Sequence, residues 1–368
     1  MRILLVSHPA LVAELGASQV ALSLAAALRA RGHDARAWSP EPLPAGSRWW
    51  NLWLRQRQAI ERFAAAEGPF DVIDTPAISA SRKLAHSGSI VVRSVQPELR
   101  YLFRGIRDDF SRHPSPRAVA HAVAHTALGS AQGGAILAGW RRARLILCLG
   151  SAELAWMRRR FPRWAPKLGL YFNTLPAEER VALADVRRGR RSAPADTGRG
   201  VSFLWMGRWT PHKGTRRLRE FVRERLAARP CDSFTLAGCG PAAERELPAE
   251  WLRSGRVRLV PAYTRAQLPP LLAAHQAGLF TSEVEGWGLN LNEMLESGMP
   301  VFATEAGGMS DLKRYFPSSL RPFPPPAEVD ARPPEDIEAN GYIATFSWPG
   351  IARSYERQLL GREGGERL

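Results

Sequence analysis

Cysteine is scarce in this sequence, with Cys148, Cys231 and Cys239 the only three in 368 residues. They are widely spaced and odd in number, and each lies in or beside an apolar run. That pattern excludes a disulfide framework and the paired spacing of a zinc site, so they read as reduced core residues of a cytoplasmic protein. Long hydrophobic runs are missing too. The longest uncharged stretch, residues 118–140, contains two His, a Thr, a Ser, a Gln and four Gly, and reads as a packed small-residue region rather than a membrane span. The opening MRILLVS is apolar but short. Pro9 and Glu14 follow where a signal peptide would need its core, so a first strand is expected there.

Acidic residues are outnumbered, 35 Asp+Glu against 51 Lys+Arg, and the shortage is uneven. Residues 1–175 hold 24 basic and 11 acidic residues, a net +13, whereas residues 176–368 hold 27 and 24, a net +3. A basic first half favours an anionic partner such as a membrane surface, a lipid phosphate or nucleic acid. A general preference for Arg throughout the chain gives the same count.

What is present is the composition of a soluble globular protein, 45% hydrophobic and 23% charged. The length suits two domains. MRILLVS, the amphipathic run ending at Gly32 and ARAWSP predict strand, helix and strand, a unit that implies a parallel sheet. FDVIDTP and SIVVRSV continue the sheet with ISASRKLAHSG as a helix between them. ARLILCLG, SAELAWMRRRF and KLGLYFN close a first domain over residues 1–175. The charged run 187–200, RRGRRSAPADTGRG, reads as a tether, giving a linker at 176–200. A second series of strand–helix units follows over 201–345, and residues 346–368 form a last helix and tail. The proline-rich stretch 321–334 is expected to be irregular.

Two stretches mix aromatics with arginine. Residues 47–63 place Trp49, Trp50 and Trp53 among Arg48, Arg55 and Arg57. Residues 98–117 place Tyr101, Phe103 and Phe110 beside Arg100 and Arg104. Such mixtures suit a membrane interface or an acceptor contact. The plainer readings are a helix packing its Trp residues on the domain for the first stretch and a solvated loop for the second.

The strongest signal is residues 283–311, EVEGWGLNLNEMLESGMPVFATEAGGMSD. A glycine turn at Gly286 and Gly288 opens a short helix whose first amides lack partners, a ready site for an anion. Glu285 and Glu293, separated by seven residues, bracket that turn. Carboxylates repel phosphate but accept hydrogen bonds from paired hydroxyls, as sugars and riboses offer them. Upstream, a strand ends at Gly207, with Arg208 and Lys213 on the turn before a helix, where two cations suit a diphosphate. Gly238, Gly240 and Pro241 form a further turn after a strand.

The E-x7-E pair within EGWGLNLNE resembles the signature of retaining glycosyltransferase family 4, the glycosyl transferases group 1. G-R-x4-K-G at residues 207–214 and G-x-G-P at 238–241 resemble two more of its motifs. The resemblance implies a GT-B fold of the α/β class, two Rossmann-like domains facing across a cleft with a C-terminal helix crossing back to the first. It implies a hexosyltransferase that moves sugar from a nucleotide-sugar donor, such as a UDP- or GDP-sugar, to a glycan or lipid-linked acceptor with retention. Cell-surface polysaccharide or glycolipid synthesis is the expected setting, in the cytoplasm or on the inner membrane face.

On that resemblance Arg208, Lys213 and Glu285 are the catalytic candidates. Gly16, Gly207, Gly238, Gly286, Trp287, Gly288, Leu289 and Glu293 are the donor-binding ones. No cofactor and no metal is expected, and the chain has no D-x-D motif. Two positions depart from the family pattern. Gly16 is followed by Ala17 where a second glycine is usual, and Val95 stands where the family carries a His, leaving Ser94 or Gln96 as candidate donor-sugar contacts. These departures motivate a sugar-nucleotide-binding protein without transfer as an alternative, and the basic first half motivates an anionic-surface or nucleic-acid binder.

Overall fold

The computed structural model describes residues 1–12, 16–43, 46–48, 50–110, 116–192, 200–329 and 335–361, with side chains omitted at 107–121 and 192. The chain divides into two units, Met1–Thr174 with Thr345–Leu368, and Leu175–Ala344.

The first unit contains six strands, β1 (Arg2–Val6), β2 (Asp34–Trp38), β3 (Val72–Thr75), β4 (Ser89–Arg93), β5 (Leu145–Leu149) and β6 (Leu168–Tyr171). All pair parallel, in the order β2-β1-β3-β4-β5-β6. Near-continuous apolar runs such as Ile3–Val6 are buried because helices cover both faces of such a sheet. The helices here are α1 (Gly16–Arg29), α2 (Leu52–Glu67), α3 (Glu98–Phe110), α4 (Pro116–Arg142) and α5 (Ser151–Arg160). α1 buries Val20, Ala21, Leu24, Ala25 and Leu28, an i, i+4 stripe that anchors it to the sheet. ISASRKLAHSG is no helix: it makes two 3-10 turns, Ala77–Ser79 and Leu84–His86. Its serines offer the backbone local bonds, as when Ser81 Oγ accepts from Leu84 N at 3.1 Å.

In the second unit lie β7 (Ser202–Met206), β8 (Ser233–Ala237), β9 (Val257–Val260), β10 (Ala277–Phe280), β11 (Val301–Ala303) and β12 (Leu320–Pro322). They are again all parallel, in the order β12-β11-β10-β7-β8-β9. The helices are α6 (Ala177–Ser192), α7 (Thr215–Ala228), α8 (Ala242–Glu246), α9 (Ala249–Arg253), α10 (Leu268–Ala273), α11 (Leu289–Glu296), α12 (Met309–Lys313) and α13 (Tyr342–Thr345). Two expectations are corrected in part here. Residues 177–192 of the expected linker fold as α6, because its arginines find buried acceptors: Arg187 Nη1 donates to Glu296 O at 2.5 Å, and Arg190 Nη2 to Leu272 O and His275 O at 2.5 and 2.7 Å; residues 193–199 lie outside the described residues. The proline-rich stretch opens on the end of β12, whose edge position leaves Pro322 with no ladder bond to donate, and is irregular over residues 323–329 as expected, with 330–334 outside the described residues.

The last helix, α14 (Trp348–Leu359), belongs to the first unit. Tyr355 Oη donates to Asp74 Oδ2 at 2.8 Å, and Arg93 Nε reaches both oxygens of Asp74 at 3.0 Å, so a buried charge cluster holds α14 to β3 and β4. Of the cysteines, Cys148 and Cys239 are buried as expected and Cys231 is exposed. It lies between Pro230 and Asp232 in the turn before β8.

Candidate active site

The motif residues of the second unit lie on loops at the carboxyl ends of β7, β8 and β10. Sheet order makes β7 the neighbour of both β8 and β10, so these loops are adjacent. Gly214, in left-handed backbone at φ 71°, closes the turn after β7. A Cβ there would sit 1.9 Å from Thr281 O, so only glycine lets this loop touch the one after β10. Thr281 Oγ1 donates to Lys213 O at 2.8 Å and Glu283 N to His212 O at 2.8 Å, which lock the two loops together.

That lock sets Lys213 against Glu285. Lys213 Nζ donates to Glu285 Oε2, and the two side chains are only 15% and 16% exposed. Ser282 Oγ donates to the same oxygen at 3.1 Å, and Gly286 N to Glu285 Oε1 at 3.3 Å. Arg208 is exposed and enters no ion pair among the described residues. Gly207 and Gly238 lie side by side: a Cβ on Gly238 would fall 3.9 Å from Gly207 N and 3.3 Å from the Tyr263 ring.

The turn itself is held from below. Trp287 is buried, and its carbonyl accepts from Gly308 N at 2.8 Å. A Cβ on Gly308 would come within 2.8 Å of the Trp287 ring, which explains the glycine pair in PVFATEAGG. Trp287 Nε1 donates to Asn292 Oδ1 at 2.7 Å, Asn292 Nδ2 to Tyr342 Oη at 2.7 Å, and Tyr342 Oη to Glu296 Oε1 at 2.6 Å. Gly288 caps α11, and Asn290 Nδ2 donates to Met206 O at 2.6 Å, tying the helix start to the end of β7. The amides of Leu289 and Asn290 fall in the first turn, where no intrahelical acceptor exists.

Glu293 is buried one turn further on. Its Oε1 accepts from Arg265 Nη1 at 2.8 Å, and Arg265 is itself paired with Glu179. Burial pushes the Glu293 carboxyl above the usual range, and the Arg265 guanidinium opposes that push. The cluster therefore offers a cation, helix-start amides and two carboxylates within one set of loops, a combination that accepts an anion together with hydroxyl groups.

Residues 200–315 match the family model described as Glycosyl transferases group 1. An uncharacterized glycosyltransferase of Bacillus subtilis (strain 168), YqgM, is 27% identical over 130 residues, 35% of this chain and 36% of that protein. The chain thus aligns with about a third of this curated relative. Among solved structures, sucrose-phosphate synthase from Thermosynechococcus elongatus superposes with a TM-score of 0.64 at 17% identity, covering 98% of this chain and 94% of that one. The Anabaena protein HepE, solved with UDP and glucose, gives 0.53 at 15% identity, covering 99% and 95%. The fold is GT-B.

In a GT-B chain each unit is a Rossmann-like domain, and the first unit places its own candidates differently. Gly16 is exposed at the start of α1. Ser94 Oγ lies 2.8 Å from Glu153 Oε1 and 2.9 Å from Gln96 O, so it is engaged by a buried carboxyl, whereas Gln96 is exposed. Glu98 and Glu153 face a small cavity with Ser94 and Cys148. Burial raises Glu98 to about 8, the Ala77 amide at 3.0 Å opposing, and raises Glu153 to about 7. Trp50 is half exposed, Trp53 is half buried with Arg57 5.4 Å from its ring, and Trp49 lies outside the described residues. Arg100 stands 6.0 Å from the Trp156 ring, and Arg104 is half buried.

Sequence reasoning missed Glu179, Arg265, Ser282, Asn290 and Glu153. Arg265 and Glu179 were two charges among many, and nothing in their local sequence marked them. Among the described residues no three His, Cys, Asp or Glu come together as a metal-holding group, and no helix is long and apolar enough to cross a membrane.

Proposed function

We propose that this chain is a glycosyltransferase that moves a sugar from a nucleotide-sugar donor to a glycan or lipid-linked acceptor with retention of anomeric configuration. The observation that carries the reading is the Lys213–Glu285 pair, set between the turn after β7 and the start of α11, with buried Glu293 on the same helix. In this reading Arg208 and Lys213 meet the donor diphosphate. Glu285 accepts from sugar hydroxyls, the backbone of Gly286, Trp287, Gly288 and Leu289 meets sugar and phosphate, and Glu293 accepts from the ribose diol. Gly207 and Gly238 let the backbone approach the donor. The bond from the anomeric carbon to the diphosphate oxygen breaks as an acceptor oxygen bonds the same face. The acceptor proton leaves with the diphosphate. Charge growing on that leaving group meets Lys213, Arg208 and the first amides of α11, so the proposal uses no metal or other cofactor.

UDP is the first nucleotide to try, because the HepE structure was solved with UDP and glucose. A thermal-shift screen with UDP, GDP, ADP and their sugar conjugates tests the donor site, with Glu293→Ala beside wild type. A ligand at a hundred times its Kd stabilises the folded state by about 2.7 kcal/mol. A rise for one nucleotide that the variant loses supports the reading, and no rise with any of them overturns it.

Two exposed aromatic side chains favour a lipid-linked or membrane-borne acceptor. Trp50 and Phe103 are 50% and 61% exposed in the more basic half of the chain. Exposed rings beside arginines suit the headgroup region of an anionic bilayer. Sedimentation with anionic vesicles at low salt is expected to carry wild type down and to leave a Trp50→Ser, Phe103→Ser double variant in solution. Equal sedimentation of the two would remove this setting.

A further inference from the structure

Glu179 lies on α6, outside every motif, 86 residues from Arg265 in sequence. Arg265 Nε donates to Glu179 Oε1 at 2.9 Å and its Nη2 donates to Glu179 Oε2, a two-pronged pair that fixes the plane of the guanidinium. Once that plane is fixed, the remaining Nη1 has one direction, and it points to Glu293 Oε1 at 2.8 Å. The base of Arg265 is fixed as well. Thr264 and Gln267 form a capping box around the 3-10 turn Arg265–Gln267, with Thr264 N donating to Gln267 Oε1 at 2.8 Å. The Glu293 side chain is only 4% exposed, against 28% for Arg265 and 18% for Glu179, so the charge on Glu293 depends on a partner brought to it through protein.

We propose that Glu179 is a positioning residue of the donor site, acting through Arg265 to hold Glu293 ionised and aimed. The inference rests on the donor-site reading above. A carboxylate accepts from both hydroxyls of a diol only when ionised, and without a cation beside it a buried carboxyl takes up a proton. The charged and titratable groups around Glu293 are Arg265, Glu179, Lys213 and Tyr263. Of these, Arg265 alone donates to Glu293 and to Glu179 together. Were Glu179 only a surface partner for α6, its removal would lower stability and leave nucleotide affinity and its pH dependence in place.

The test is the Kd of UDP, or of whichever of GDP and ADP wild type binds, measured by calorimetry from about pH 5 to pH 9, a range spanning the ordinary and the raised carboxyl. The proteins are wild type, Glu179→Gln, Arg265→Lys and Arg265→Ala. Wild type is expected to lose affinity only on the acid side, where Glu293 takes up a proton. Glu179→Gln should weaken binding at neutral pH roughly tenfold, the scale of one charge-assisted hydrogen bond, and move the acid limb to higher pH. Arg265→Ala should move it furthest. Arg265→Lys keeps a cation near Glu293 without the fork and should fall between, and it carries the test if Glu179→Gln does not fold. An acid limb that stays at the wild-type position in the folded variants overturns the proposal. If wild type binds none of the three nucleotides, the donor-site reading itself fails, and the two failures are thereby separated.

Discussion

Lys213 and Glu285 form an ion pair across 72 residues of chain, joining the turn after β7 to the turn before α11. Each is the other's counter-charge in a partly buried setting, yet the functional reading requires the ammonium to meet diphosphate and the carboxylate to meet sugar hydroxyls. Removing one such preorganised donor costs about 3 kcal/mol of transition-state stabilisation. Lys213→Ala should therefore lower transfer by two orders of magnitude or more while the protein still melts cooperatively, as read by turnover of the donor identified in the screen beside a calorimetric melt.

Gly214 separates close approach from backbone strain alone. It is left-handed and its missing Cβ would meet Thr281 O at 1.9 Å, whereas Gly240 is left-handed at φ 64° with nothing within 4 Å of the same position. Gly240→Ala should cost about 1 kcal/mol from the backbone conformation. Gly214→Ala should cost well above that and reduce nucleotide binding, because the two loops must part. Denaturant midpoints of the two variants make the comparison, and equal costs would contradict the geometry.

The network beneath the turn gives a third expectation. Tyr342→Phe removes the hydroxyl that accepts from Asn292 and donates to Glu296, leaving buried polar atoms short of partners. The expected loss is roughly 2 kcal/mol, the usual penalty for such atoms. Asn292→Leu should cost a similar amount and also strand the Trp287 indole N–H, visible as a change in its fluorescence. A variant as stable as wild type would show the network to be idle.

Glu98 and Glu153 make stability depend on pH in a direction opposite to that of an ordinary salt-bridged acid. Burial raises them from 4.5 to about 8 and about 7. Between the unfolded and folded values the folded state keeps a proton that the unfolded chain has released, so stability is fullest below about 4.5 and declines as pH rises towards about 8. Glu98→Gln removes one titrating group, and its melting temperature should fall less than that of wild type over the same span. Parallel curves for the two proteins would remove Glu98 from the account.

The sequence by itself determined the strands, most of the helices and the loops that carry the chemistry. Buried parallel strands are near-continuous apolar runs, and glycine is the residue that tight turns demand, so Ile3–Val6, Gly214 and the EGWG turn are legible from local composition. Helix α6 is not legible for the converse reason, since its arginines find their partners far along the chain, while the turns at residues 77–86 rest on local serine bonds that compete with a helix. Arg187 reads as linker until Glu296 O is placed beside it. Tertiary structure alone decided which charges meet. It set Lys213 against Glu285, Ser94 against Glu153, and Glu179 against Glu293 through Arg265. The strength of each pair depends on separation, burial and geometry, and these appear only when strand order brings distant loops together.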